Sequence, residues 1–105
     1  MKTLAALCAV VLALTCMAKT ILAAPSAGAL AFEANCSECH PGGRNIVNQA
    51  KDLRVMTLKA NGINTAQDIL AKVRKPGPGM TRFDPKDLSD KEALEIAEYI
   101  LATFK

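Results

Sequence analysis

Two cysteines and the only histidine of the chain stand together in Asn35-Cys36-Ser37-Glu38-Cys39-His40-Pro41-Gly42-Gly43. In a short chain such a cluster constrains the fold more than any helix or strand propensity, because the rest must be built around whatever the three side chains hold. The 105 residues suffice for one small domain. Which chemistry the cluster serves depends on the compartment and on the other ligands the chain can supply.

The first residues suggest the compartment. Met1-Lys2 is a short positive start, Leu4 to Ala18 is apolar, and Lys19 interrupts the run. This is the build of a secretory signal peptide, shorter than the about 20 apolar residues a membrane span needs. The organisation expected is a signal peptide over 1–23 and a single domain over 24–105. Pro25 disfavours cleavage just before it, so cuts after Ala18 or Ala23 are the better candidates. Retention as a membrane anchor is the alternative. Lipidation at Cys16 is a third possibility, although a small residue is expected where Thr15 stands.

Removing the leader changes the composition that matters. Cys8 and Cys16 leave with it, so the four cysteines do not form a disulfide framework. The net charge of +3 loses Lys2 and Lys19, leaving eleven basic and ten acidic side chains, net +1. That balance, and the absence of a basic stripe interleaved with aromatics, argues against a nucleic-acid partner. About 80 residues remain, a size at which an apolar core is marginal and natural domains recruit a disulfide, metal or cofactor.

The pattern along this domain is helical. Ala23 to Gly28 reads as a flexible lead-in and Ala29 to Asn35 as a short helix ended by Pro41-Gly42-Gly43. Leu53, Met56 and Leu58 suggest a helix over Asp52 to Ala60, stopped at Asn61-Gly62. Thr65 to Asp68 resembles a capping box, followed by Ala66, Ile69, Leu70 and Val73 at helical spacing. Lys75-Pro76-Gly77-Pro78-Gly79-Met80 must be a shaped loop, since its prolines remove donors and fix φ. Ser89 to Glu92 is a full capping box, and Ala93, Ala97, Ile100 and Phe104, joined by Ile96 and Leu101, form one apolar face. No segment alternates in the β manner, so the fold class expected is all-α.

An all-α pattern decides among the chemistries open to Cys36 and Cys39. A thioredoxin-like dithiol needs a βαβ context, and a structural zinc ion wants four Cys or His ligands where this domain offers Cys36, Cys39 and His40. A Cys36–Cys39 disulfide would close too small a loop to stabilise much. Attachment of a c-type haem remains, and the spacing has a reason: two thiols three positions apart can each bond a haem vinyl group, with the next imidazole reaching iron. An exported chain suits this chemistry.

If His40 takes one axial position, the other decides the function, because open iron binds small molecules while filled iron passes electrons. The domain holds no second histidine, leaving Met80 and Met56 as candidates. Met56 lies among leucines on an expected helix and reads as core. Met80 ends a rigid loop where helix periodicity does not ask for it, and it is the better candidate.

Taken together, Gly28, Phe32, Asn35-Cys36-Ser37-Glu38-Cys39-His40, Gly42-Gly43-Arg44-Asn45, Asn61-Gly62-Ile63, Met80, Phe83 and Ala97-Glu98-Tyr99-Ile100 make the chain similar to the small monohaem class I cytochromes c, and to the cytochrome c6 group in particular, over nearly all of residues 27 to 102. The resemblance implies a small globular cytochrome c fold of three to four helices wrapped around one covalently bound haem c. It also implies that the first and last helices cross where Gly28 and Phe32 meet Tyr99, and that His40 and Met80 are the iron ligands. One departure stands out: the family usually places proline directly after the ligand methionine, whereas here Thr81 and Arg82 separate Met80 from Phe83. A differently shaped loop is expected there.

The function expected is one-electron transfer between membrane-bound redox complexes, by a protein that is not an enzyme and has no small-molecule substrate. It is expected to be exported, in a periplasm or a thylakoid lumen, as a monomer touching membranes only through partners unless Cys16 is lipidated. Two alternatives stay open: a haem-based sensor or small-ligand binder with a labile Met80, and a membrane-tethered respiratory subunit. Arg74, Lys75 and Arg82 flank the Met80 loop and would form a basic rim for an acidic partner surface.

Overall fold

The structure, a computed structural model, describes residues 23–105, and the expected signal peptide lies outside the described residues except for Ala23. Four α-helices and two short 3₁₀ turns account for its regular structure, and no strand occurs among the described residues.

Helix α1, Ala27–Asn35, starts two residues earlier than expected because the Ser26 hydroxyl caps it, accepting from the Ala29 N–H at 3.1 Å. The expected lead-in is shortened accordingly. Helix α2, Val55–Ala60, starts later than the expected Asp52. The Asp52 carboxylate accepts from the Arg54 backbone N–H at 3.2 Å and from its Nε at 2.8 Å, an Asx-type turn that holds 52–54 out of the helix. These bonds keep the Asp52 carboxyl below its ordinary range.

On α2, Leu58 is buried while Met56 is 75% exposed. Residues two apart on a helix point about 200° apart, so the leucine takes the interior. Met56 is therefore not the core side chain that its apolar neighbours suggested.

Both capping boxes form as expected. Helix α3, Ala66–Arg74, opens with the Thr65 hydroxyl accepting from the Asp68 N–H, while the Asp68 carboxylate accepts from the Asn64 and Thr65 N–H groups, each at 2.9 Å. Those donors hold the Asp68 carboxyl below its ordinary range. Helix α4, Asp90–Thr103, opens with the reciprocal Ser89–Glu92 pair. Its buried face is Ala93, Ile96, Ala97 and Ile100, with Leu101 half-buried. Phe104 stands just past the helix end.

Helix α1 packs across α4 at a crossing where Gly28 meets Glu95 and Tyr99, and α3 packs on another part of α4. A Cβ on Gly28 would lie 2.2 Å from the Glu95 carbonyl oxygen, so only glycine permits this approach. Phe32, 2% exposed, has its ring centroid 5.3 Å from that of Tyr99 and 5.4 Å from that of Phe104. These tilted and edge-on contacts join with Leu58, Ile69, Val73, Leu88 and the buried face of α4 into one core. No helix among the described residues is long and apolar enough to cross a membrane.

Candidate functional site

The Cys-x-x-Cys-His stretch follows directly from the end of α1. The chain turns at Cys36, whose carbonyl accepts from the His40 N–H at 2.8 Å, and the Cys39 carbonyl accepts from the Ile46 N–H at 3.1 Å. Cys36 is half-buried, Cys39 is exposed, and both are free thiols. Burial pushes the Cys36 thiol up to about 11.

His40 is buried, and its ring is oriented by one hydrogen bond. Nδ1 lies 2.8 Å from the Arg44 carbonyl oxygen; against that acceptor Nδ1 carries the proton, so Nε2 keeps its lone pair. No buried side-chain nitrogen or oxygen among the described residues lacks a partner, and His40 lines the neighbouring cavity. The carbonyl is brought within reach by a 3₁₀ turn, Pro41–Gly43, in which Gly42 and Gly43 have φ of 60° and 81°. A Cβ on Gly43 would come within 2.6 Å of the Phe104 ring, so this turn is packed against the end of α4.

The cavity has a volume of about 620 Å³, within the about 300–1,000 Å³ typical of small-molecule and cofactor sites. Its apolar walls include core side chains of three helices, Leu58 of α2, Ile69 and Val73 of α3, and Ile96 and Ile100 of α4, together with Phe83. All four residues singled out in the sequence, Cys36, Cys39, His40 and Met80, line it, and Met56 does not.

Met80 is carried by the loop between α3 and Phe83, where it is 37% exposed. Within the loop, Gly79 takes a φ of 86° and the Met80 N–H approaches the Gly77 carbonyl at 3.4 Å. The loop is closed at its base, where the Phe83 N–H donates to the Val73 carbonyl at 3.0 Å. Arg74 also works there, and this corrects its reading as a rim charge. Its side chain is only 20% exposed, and its guanidinium donates to the Phe83 and Leu88 carbonyls at 2.9 Å each and to the Asp90 carboxylate at 2.5 Å. Arg82 is paired with Asp84 at 3.0 Å. Of the three expected rim cations, Lys75 alone has no ion pair among the described residues.

A second loop, residues 44–51, forms the other lip, and the sequence reading did not recognise what organises it. The Asn45 carboxamide accepts from the Val47 and Asn48 N–H groups at 3.0 and 2.9 Å and donates to the Lys51 carbonyl at 2.9 Å. The two lips touch where Gly79 faces the Val47 side chain. An Asn placed shortly after paired glycines was the available signal, since Asn side chains commonly satisfy nearby backbone groups in turns.

A helical shell around one apolar cavity, with a Cys-x-x-Cys-His turn and a loop methionine on its wall, defines a c-type cytochrome domain, and the donor set fits a haem. Comparison with known proteins narrows this. Residues 23–100 match the family model described as Cytochrome C oxidase, cbb3-type, subunit III. Cytochrome c6 of Microcystis aeruginosa is 39% identical over 75 residues, covering 71% of this chain and 91% of that protein. Cytochrome c6 of Synechocystis is 36% identical over 86 residues, covering 81% and 71% respectively. Among solved structures, OmcF, an outer-membrane cytochrome of Geobacter sulfurreducens, superposes with a TM-score of 0.73 at 41% identity, covering 74% of this chain and 99% of that one. Cytochrome c6C of a Synechococcus species gives 0.69 at 30% identity, covering 75% and 95%. The chain belongs to the small class I cytochromes c, electron carriers with a covalently bound c-type haem, and is cytochrome c6-like.

Proposed function

We propose that this protein is a one-electron carrier in which Cys36 and Cys39 fasten the haem and His40 and Met80 hold its iron. The observation that carries this reading is that His40, its Nδ1–H committed to the Arg44 carbonyl, lines the same apolar cavity as Met80 and both cysteines. The bound haem supplies a one-electron couple. The Arg44 carbonyl fixes the tautomer and raises the basicity of Nε2. Met80 provides a thioether, which beside an imidazole raises the reduction potential. Leu58, Ile69, Val73 and Ile96 exclude water, which also favours the less charged reduced state. With His40 and Met80 both holding the iron, no site would be left for a substrate, and the protein acts as a carrier rather than an enzyme.

Its partners are membrane-bound redox complexes, one donating and one accepting. It works as an exported monomer in a periplasm or thylakoid lumen, with its signal peptide over 1–23 removed and the domain over 24–105 retained. The apolar leader and the need for haem attachment after export support that location.

The test is spectroscopic. The ferric protein should show the methionine-to-iron charge-transfer band in the near red, and Met80→Ala should abolish it while Met56→Ala leaves it intact. Retention of the band in Met80→Ala would overturn the ligand assignment. Absence of the band from the wild type would favour the sensor or ligand-binding alternative. The mass of the mature protein should contain one haem, lost when Cys36 and Cys39 are replaced by Ala.

A further inference from the structure

We infer that Arg74 is a positioning residue for the Met80 ligand, a clamp that closes the base of the ligand loop and so sets how firmly the iron keeps its sulfur. The inference rests on the ligand reading above.

The loop from Lys75 to Arg82 has little to hold it from within. Its internal polar contacts are the long 3.4 Å approach of the Met80 N–H to the Gly77 carbonyl and, just beyond the loop, the exposed Arg82–Asp84 pair. Apart from the contact of Gly79 with Val47, its position is set at the two ends. One end leaves α3 at Arg74; the other returns at Phe83, whose N–H donates to the Val73 carbonyl at 3.0 Å. Arg74 completes the closure by donating to the Phe83 carbonyl, so that Phe83 is tied to α3 through both its backbone groups. The same guanidinium reaches the Leu88 carbonyl and the Asp90 carboxylate at the first turn of α4. One planar fork thus joins the end of α3, the returning loop and the start of α4, a task for which five fixed donors suit arginine and the single ammonium of lysine does not. Leu88, whose carbonyl it engages, is fully buried, so the clamp is anchored in the core.

Loss of the fork frees the loop base without emptying any core position. Met80 then dissociates more often, and an added ligand competes for the iron more easily. Hydrogen bonds to charged groups are strong enough for their loss to shift such a competition about tenfold.

The experiment measures imidazole binding to the ferric holoprotein by loss of the near-red band, in Arg74→Gln, Arg74→Lys, Asp90→Asn and, as a control, Thr65→Ala. Thr65→Ala weakens the start of α3 without touching the loop. The expected result is imidazole affinity raised about tenfold in Arg74→Gln, nearly as much in Arg74→Lys, in the same direction but less in Asp90→Asn, and unchanged in Thr65→Ala, with far-UV circular dichroism preserved in all four. The inference is overturned if Arg74→Gln and Asp90→Asn bind imidazole as the wild type does, or if Thr65→Ala raises the affinity as much. Should Arg74→Gln fail to fold, Asp90→Asn against Thr65→Ala decides the question. A near-red band that survives Met80→Ala sinks the ligand reading itself, whereas a Met80-dependent band with no response in the clamp variants sinks the clamp alone.

Discussion

The crossing of α1 over α4 and the loop that carries Met80 are held by different means. At the crossing, backbone meets backbone: Gly28 has no room for a Cβ, and Phe32, Tyr99 and Phe104 fill the space beside it with ring contacts. The Met80 loop runs in solvent and depends on hydrogen bonds gathered at its base. Packing is intolerant of added atoms, so changes at the crossing should act on the whole fold. A hydrogen-bonded loop can loosen while the fold persists, so changes there should act on the ligand first.

The largest effect should come from Gly28→Val. A branched side chain placed 2.2 Å from the Glu95 carbonyl exceeds ordinary overpacking of about 1–3 kcal/mol because the obstacle is backbone. Little folded holoprotein should accumulate, as judged by haem-stained yield. Phe32→Ala should come next, with a loss of about 3–5 kcal/mol in denaturant unfolding. In that variant the near-red band and the helical signal should vanish at the same denaturant concentration. Two separate transitions would mean that a change at the crossing can release the ligand loop without unfolding the helices.

Ser89→Ala removes the cap of α4 and should cost about 1 kcal/mol in the same unfolding measurement, again with both signals moving together. Acid should expose a related contribution. Asp68 and Asp52 have carboxyls held below the ordinary value of 3.8 by donated hydrogen bonds. Their stabilising effect is complete above that ordinary value and is lost as pH falls below it through the lowered folded-state values. Asp68→Asn should therefore flatten the decline in stability between neutral and strongly acid pH, and an unchanged acid profile would count against the role of this capping box.

Smallest in stability, and most informative about the loop, is Thr81→Pro. Thr81 is exposed and its N–H makes no backbone hydrogen bond among the described residues. Its restriction should change stability by no more than about 0.4–1 kcal/mol. Imidazole binding to the ferric form should nevertheless weaken, because a stiffer loop keeps Met80 closer to its bound position. Tighter binding would show that proline strains this loop.

What the sequence made legible follows the same division. The capping boxes at Thr65 and Ser89 are local patterns, complete within a few residues, and each formed as read. The buried face of α4 was legible from its period. Met56 was misjudged because α2 is a six-residue helix, too short for periodicity to separate its inner from its outer side. Ser26 was overlooked as a cap since no Glu follows it at the third position. Arg74 could not be read correctly: its partners lie 9 to 16 residues away, and a cation beside a loop looks the same in sequence whether it faces water or three acceptors.

Asn45 makes one lip of the cavity depend on a single uncharged side chain. Its carboxamide nitrogen donates to the Lys51 carbonyl at 2.9 Å while its oxygen gathers two N–H groups. Asp in its place would keep the oxygen but replace the donor with a second acceptor, setting a negative charge against that carbonyl. An exchange that scarcely alters the shape of the side chain would therefore loosen this lip at Val47 and leave the capped helices as they are.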